Sequence, residues 1–88
     1  MSARQMLLVQ PAQLLVVTYE DGNFRHDVLA ITCRYVPVAQ PGGQRALAVE
    51  VLADPAQPQP TEPYYCPPER LRRILIAPKR IKKIRPFR

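Results

Sequence analysis

Nine basic side chains, Arg70, Arg72, Arg73, Lys79, Arg80, Lys82, Lys83, Arg85 and Arg88, crowd the end of an 88-residue chain with a formal net charge of +6. Divided along the chain, that charge is −2 over residues 1–68 and +8 over residues 69–88. A basic run this dense suits the phosphate line of a nucleic acid, because each contact releases a condensed counterion and needs no particular base sequence. Ile81 and Ile84 interrupt the charges, which predicts that part of the segment docks on a core and turns its Lys and Arg outward. The plainer reading is a solvated basic tail that only aids solubility.

Tyr64 and Tyr65 stand just ahead of this segment. Aromatic rings beside a positive groove stack on unpaired bases; alternatively the two rings cover the open end of a small core. In an extended backbone they face opposite ways, so one can do each.

Other chemistry is poorly supplied. His26 is the sole histidine, and an uninterrupted strand from His26 to Cys33 would point these two side chains to opposite faces, against a Cys/His dyad. Glu20, Asp21 and Asp27 flank a turn, where acids serve turn formation and solvation. The three glycines, Gly22, Gly42 and Gly43, form neither a GxGxxG nor a GK[ST] phosphate loop. Two distant cysteines and one histidine fall short of the about four ligands a structural zinc requires. We therefore expect no enzyme activity, no catalytic residues, no metal and no cofactor, with Cys33 and Cys66 as free, buried or half-buried thiols.

The elements that must position the basic segment read as short strands. Leu14 to Tyr19 is rich in β-branched and aromatic residues and runs into Asp21-Gly22-Asn23, a tight-turn signal, before Phe24 reopens an extended segment. On the return strand Leu29, Ile31, Cys33 and Tyr35 share one face and Thr32 and Arg34 the other. Pro37 and Pro41-Gly42-Gly43 end it, and Leu47, Val49 and Val51 then alternate with Ala48, Glu50 and Leu52, completing a three-stranded meander over about residues 14–53. Prolines at 55, 58, 60, 63, 67 and 68 predict a long extended connection over 54–68 that lacks donors for a full ladder. Pro67-Pro68-Glu69-Arg70 suits a single helical turn near 67–72, leading to a strand at about 73–77, a turn at Pro78-Lys79-Arg80 and a last strand at Ile81–Arg85. Met6–Val9 is a further short strand.

This inventory predicts one mainly β domain over residues 1–88: strands and meander at 6–53, the Pro-rich connection at 54–68, and the basic segment at 69–88. Five or six short strands, one helical turn and a long loop fit a small SH3-like or Sm-like barrel. The segments Val17-Thr18-Tyr19-Glu20-Asp21-Gly22, Arg73-Ile74-Leu75-Ile76, Arg80-Ile81 and Ile84 resemble the ends of the WYL domain, which has such a barrel and often a ligand-sensing or nucleic-acid-linked role. The tripeptide that names that family is absent, and no site residue is carried over. The expected function is RNA or DNA binding through the phosphate backbone. The alternative is a protein-interaction module, an accessory or phage-type inhibitor whose basic face docks on an acidic or nucleic-acid-binding surface of a larger complex. Exposed strand edges also allow a homo-oligomer. No apolar run approaches the about 20 residues of a membrane span, and no secretory signal pattern opens the chain, so a cytoplasmic location is expected.

Overall fold

The computed structural model describes residues 5–57 and 59–87. It is mainly β, with seven strands: β1 (Leu7–Val9), β2 (Leu15–Asp21), β3 (Phe24–Ala39), β4 (Arg45–Ala53), β5 (Tyr64–Cys66), β6 (Arg72–Ile76) and β7 (Ile81–Pro86). Five of them form an antiparallel sheet in the order β6-β4-β3-β2-β7, and β1 pairs with β5 in a second, two-stranded sheet. The sheets do not close into a barrel. Three short 3-10 turns are present: Pro68–Arg70 and Pro78–Arg80 lie where turns are expected, and Pro11–Gln13 is an additional one. Each has Pro in its first turn, where the missing N–H is unneeded and φ is already set.

The β2–β3 hairpin turns on Gly22 and Asn23. Gly22 has φ +63° and Asn23 does not enter the positive region, the pattern of a II′ turn, whose twist matches that of the flanking strands. Pro37 sits inside β3 without breaking it. Gln40 N–H donates to the Gln44 carbonyl at 2.8 Å, and counting back from that bonded pair puts Pro37 opposite Leu47 at a position with no ladder bond to lose.

Val17, Ala30, Val49, Val51 and Ile76 form the buried centre of one face of the five-stranded sheet, with Leu15, Tyr19, Val28, Cys33, Ile74 and Ile81 packed around them. Each fully buried Val or Ile contributes about 1.5–3 kcal/mol through removal of apolar surface from water. A second cluster, Val9, Leu14, Ile31 and Cys66 with Leu29, Tyr64, Leu71 and Phe87, fastens the β1–β5 sheet over the opposite face.

One further expectation about β3 is corrected. Leu29, Ile31, Cys33 and Tyr35 do not share a face: the β3–β4 register shifts between Ala30 and Thr32, a bulge that leaves Ile31 unpaired. Leu29 and Ile31 therefore belong to the second cluster, while Cys33 joins the first. The stretch 54–68 forms only a short ladder, at its end. Tyr64, Tyr65 and Cys66 lie between prolines and keep their own N–H groups, so they pair with Val9, Leu8 and Leu7.

Candidate nucleic-acid interface

The described basic residues of the C-terminal segment lie on the two edge strands of the large sheet, β6 on one side and β7 on the other, or on the 3-10 turns that enter them. The segments leading into these edges repeat a pattern ten residues apart: Pro68-Glu69-Arg70-Leu71-Arg72-Arg73-Ile74 and Pro78-Lys79-Arg80-Ile81-Lys82-Lys83-Ile84. In each copy the Arg that ends the 3-10 turn reaches back to a carboxylate and to a backbone carbonyl. Arg70 pairs with Asp54 at 2.9 Å and donates to the Tyr65 carbonyl oxygen at 3.4 Å. Arg80 pairs with Asp21 at 2.8 Å and donates to the Glu20 carbonyl oxygen at 2.7 Å. These two arginines are structural anchors, a role the repeat signals and a reading of charge density overlooks.

Much of the remaining charge is also engaged. Glu50, only 5% exposed, accepts Arg34 Nε at 2.9 Å and Arg73 Nε at 2.6 Å, so three strands are tied by an Arg-Glu-Arg row on the face opposite the first cluster. Hydrogen bonds from Arg73 and then Arg34 hold the Glu50 carboxyl below its ordinary value. Lys82 lies 3.6 Å from Glu20, which also pairs with Arg25. Arg72 donates to the Glu69 carbonyl oxygen. Asp54, 4% exposed, is satisfied by Arg70 and by the Ala56 N–H at 3.0 Å. Four of the six acids in residues 1–68 are thus used to fix cations of the basic segment.

Lys79, Lys83 and Arg85 are left with no hydrogen bond or ion pair to any described residue, and all three lie on the turn before β7 or on β7 itself. Lys83 faces Thr18 and Arg85 faces Val16 across the β2–β7 ladder, so these two cations stand on one face of the edge strand. Lys82 is the extra residue of a bulge between the Tyr19–Ile81 and Thr18–Lys83 pairs. Of the nine basic positions singled out, β7 and its entry turn gather five, Arg80 among them as an anchor, and β6 with its entry turn carries Arg70, Arg72 and Arg73. Arg88 lies outside the described residues.

The tyrosines divide. Tyr64 packs against the second cluster, and its burial raises the phenol above its usual range. Tyr65 is 61% exposed beside Leu8 on the free face of the small sheet. The bulge at Ile31 also removes the argument that His26 and Cys33 face opposite ways. Both now share the face of the first cluster, His26 against the Tyr19 ring at 5.2 Å between centroids. Distance still separates them, since seven residues of strand span roughly 20 Å. Cys33 and Cys66 are free thiols in different clusters, both pushed up by burial, and the Cys66 Sγ–H donates to the Pro67 carbonyl.

Among the described residues no group of three or more His, Cys, Asp or Glu could hold a metal ion, and no helix is long and apolar enough to cross a membrane. Compared with known protein families, curated proteins and solved structures, the chain matches none.

Proposed function

We propose that this chain is a non-enzymatic nucleic-acid-binding domain that holds a phosphate backbone along the β7 edge. Lys79, Lys83 and Arg85 carry the contact, with Lys82 beside them. The observation behind this reading is the distribution of internal contacts: acids of the N-terminal region occupy Arg70, Arg73, Arg80 and Lys82, Arg72 donates to the Glu69 carbonyl oxygen, and the described cations of this segment with neither a hydrogen bond nor an ion pair, Lys79, Lys83 and Arg85, cluster at β7. An unpaired cation keeps its full charge for phosphate and gives up only water and counterions when it binds. We read the five-stranded sheet as an opened SH3-like unit, because its two edge strands are joined by one 3-10 turn and lie at opposite ends of the strand order. The cytoplasmic location expected above goes with this reading.

The test is fluorescence anisotropy with labelled RNA and DNA. Lys79→Glu with Lys83→Glu should weaken binding at least tenfold with the fold intact, whereas Arg45→Glu, on the β3–β4 hairpin, should not. Unchanged affinity in the double variant would sink the proposal.

A protein-interaction module remains the second reading, and one feature favours it. The β3–β4 hairpin runs beyond the ends of β2 and β6 and exposes Tyr35 (67%) and Leu47 (58%) on one face. A stoichiometric protein partner that survives nuclease treatment in a native purification would support this reading over the first.

A further inference from the structure

Phosphate contact along β7 involves only Arg85 of the residues that line the cleft beside it. On the face of the sheet opposite the first cluster, a cavity of about 320 Å³ opens between β2, β3 and the Pro-rich connection. Val16 and Leu29 contribute apolar surface, Phe87 an aromatic ring, and Arg85, Asp27 and Gln59 the polar atoms. The ring is held there for a structural reason: Phe87 N–H donates to the Leu14 carbonyl at 2.9 Å, and its side chain packs against the second cluster. Asp27 accepts the Thr18 hydroxyl, its neighbour on β2. Arg85 is half-buried and lines the same cleft, yet it is not paired with Asp27.

These properties select among ligands. An apolar floor with an aromatic wall suits a flat, unsaturated ring. A carboxylate in the cleft disfavours a phosphate inside it and suits the N–H donors on a base edge, as when Asp accepts from the cytosine amino group. The phosphate then belongs at the rim, where Arg85 and Lys83 stand two residues apart on one face of β7. A base still stacked and paired in a duplex cannot enter such a pocket.

The geometry points to a pocket for one unstacked base of a single-stranded nucleic acid, with Phe87 against the ring, Asp27 and Gln59 on its edge, and Arg85 with Lys83 on its phosphates. This assignment rests on the β7 phosphate reading and narrows it from nucleic acid in general to single strands.

The chain has no Trp, so Phe87→Trp supplies a fluorescence reporter in the pocket. The expected result is saturable quenching by a single-stranded cytidine octamer. Binding of an eight-base-pair duplex, or of cytidine monophosphate alone, should be at least tenfold weaker. Phe87→Leu keeps an apolar side chain and removes the ring face; affinity for the octamer should fall about 5- to 150-fold, the range of one lost stacking contact, while duplex binding at low salt is unchanged. Gln59→Trp, on the exposed connection, fills the cleft from the other side and should give the same loss if Phe87→Leu does not fold. Equal binding of duplex and octamer overturns the pocket. So does octamer binding that neither substitution weakens while Lys83→Glu does, an outcome that leaves the phosphate reading standing. Mononucleotide binding as tight as the octamer overturns the single-strand assignment in favour of a free nucleotide. No binding of any nucleic acid at low salt overturns both readings.

Discussion

Arg80 donates its Nε to the carbonyl oxygen of Glu20 at 2.7 Å, joining the turn that enters β7 to the end of β2 across sixty residues of sequence. The same guanidinium reaches Asp21 at 2.8 Å. Arg80→Glu leaves that carbonyl without its donor and sets two acids side by side. It should lower the thermal midpoint by on the order of 5 °C for a domain of this size. Lys79→Glu, one residue earlier and unpaired, should leave the midpoint nearly unchanged. Thermal melts followed by circular dichroism separate the two, and equal melts would remove Arg80 from its anchoring role.

Phosphate binding through Lys79, Lys82, Lys83 and Arg85 limits the salt dependence. With three or four contacts to a single strand, the slope of log K against log salt should be about −2 to −3. Engagement of all nine basic residues would instead give a slope near −6. Anisotropy titrations across a salt series measure it, and the steeper value would mean that the internal ion pairs open on binding.

The two apolar clusters belong to one cooperative unit, because β3 contributes to both, Ala30 to the first and Ile31 to the second, and Leu14 of the second leads directly into β2. Ile76→Ala in the first cluster and Leu14→Ala in the second should each cost about 2–5 kcal/mol, a large share of the roughly 5–15 kcal/mol that holds a small domain folded. In urea both variants should show a single transition, with the midpoint lowered and the slope kept. A biphasic curve for Leu14→Ala would show that the β1–β5 sheet detaches on its own.

Glu50 makes the fold sensitive to acid. Arg73 and Arg34 depress its folded value below the ordinary 4.5, so its stabilising effect is complete above the unfolded value and is lost as pH falls through the folded one. Wild-type stability should therefore drop between about pH 5 and pH 3 more steeply than that of Glu50→Gln. Denaturant midpoints measured across that range would show the two curves converging at the acid end. Parallel curves would mean that Glu50 titrates alike in the folded and unfolded chain.

The strands could be read from the sequence because their signals are local. Alternation at Leu47, Val49 and Val51 marks β4, Asp21-Gly22-Asn23 marks the first turn, and Pro68 and Pro78 mark the turns that enter β6 and β7. The strand Tyr64–Cys66 was hidden because its partner, β1, comes from the other end of the chain, and prolines on either side masked three residues with intact N–H groups. Parity along β3 failed at Ile31, since a bulge depends on register against β4 and not on the composition of β3.

For the candidate site the division is similar. The amino-acid sequence alone determined that the chain is mainly β, that its positive charge lies in the last twenty residues, and that its chemistry-bearing side chains are sparse. It could not determine which of those charges are already spent. Arg70 meets Asp54 sixteen residues away, Arg73 meets Glu50 at twenty-three and Arg80 meets Asp21 at fifty-nine. Electrostatic pairing acts through space, and only the order in which five strands lie side by side decides which carboxylate faces which guanidinium and leaves Lys79, Lys83 and Arg85 unpaired.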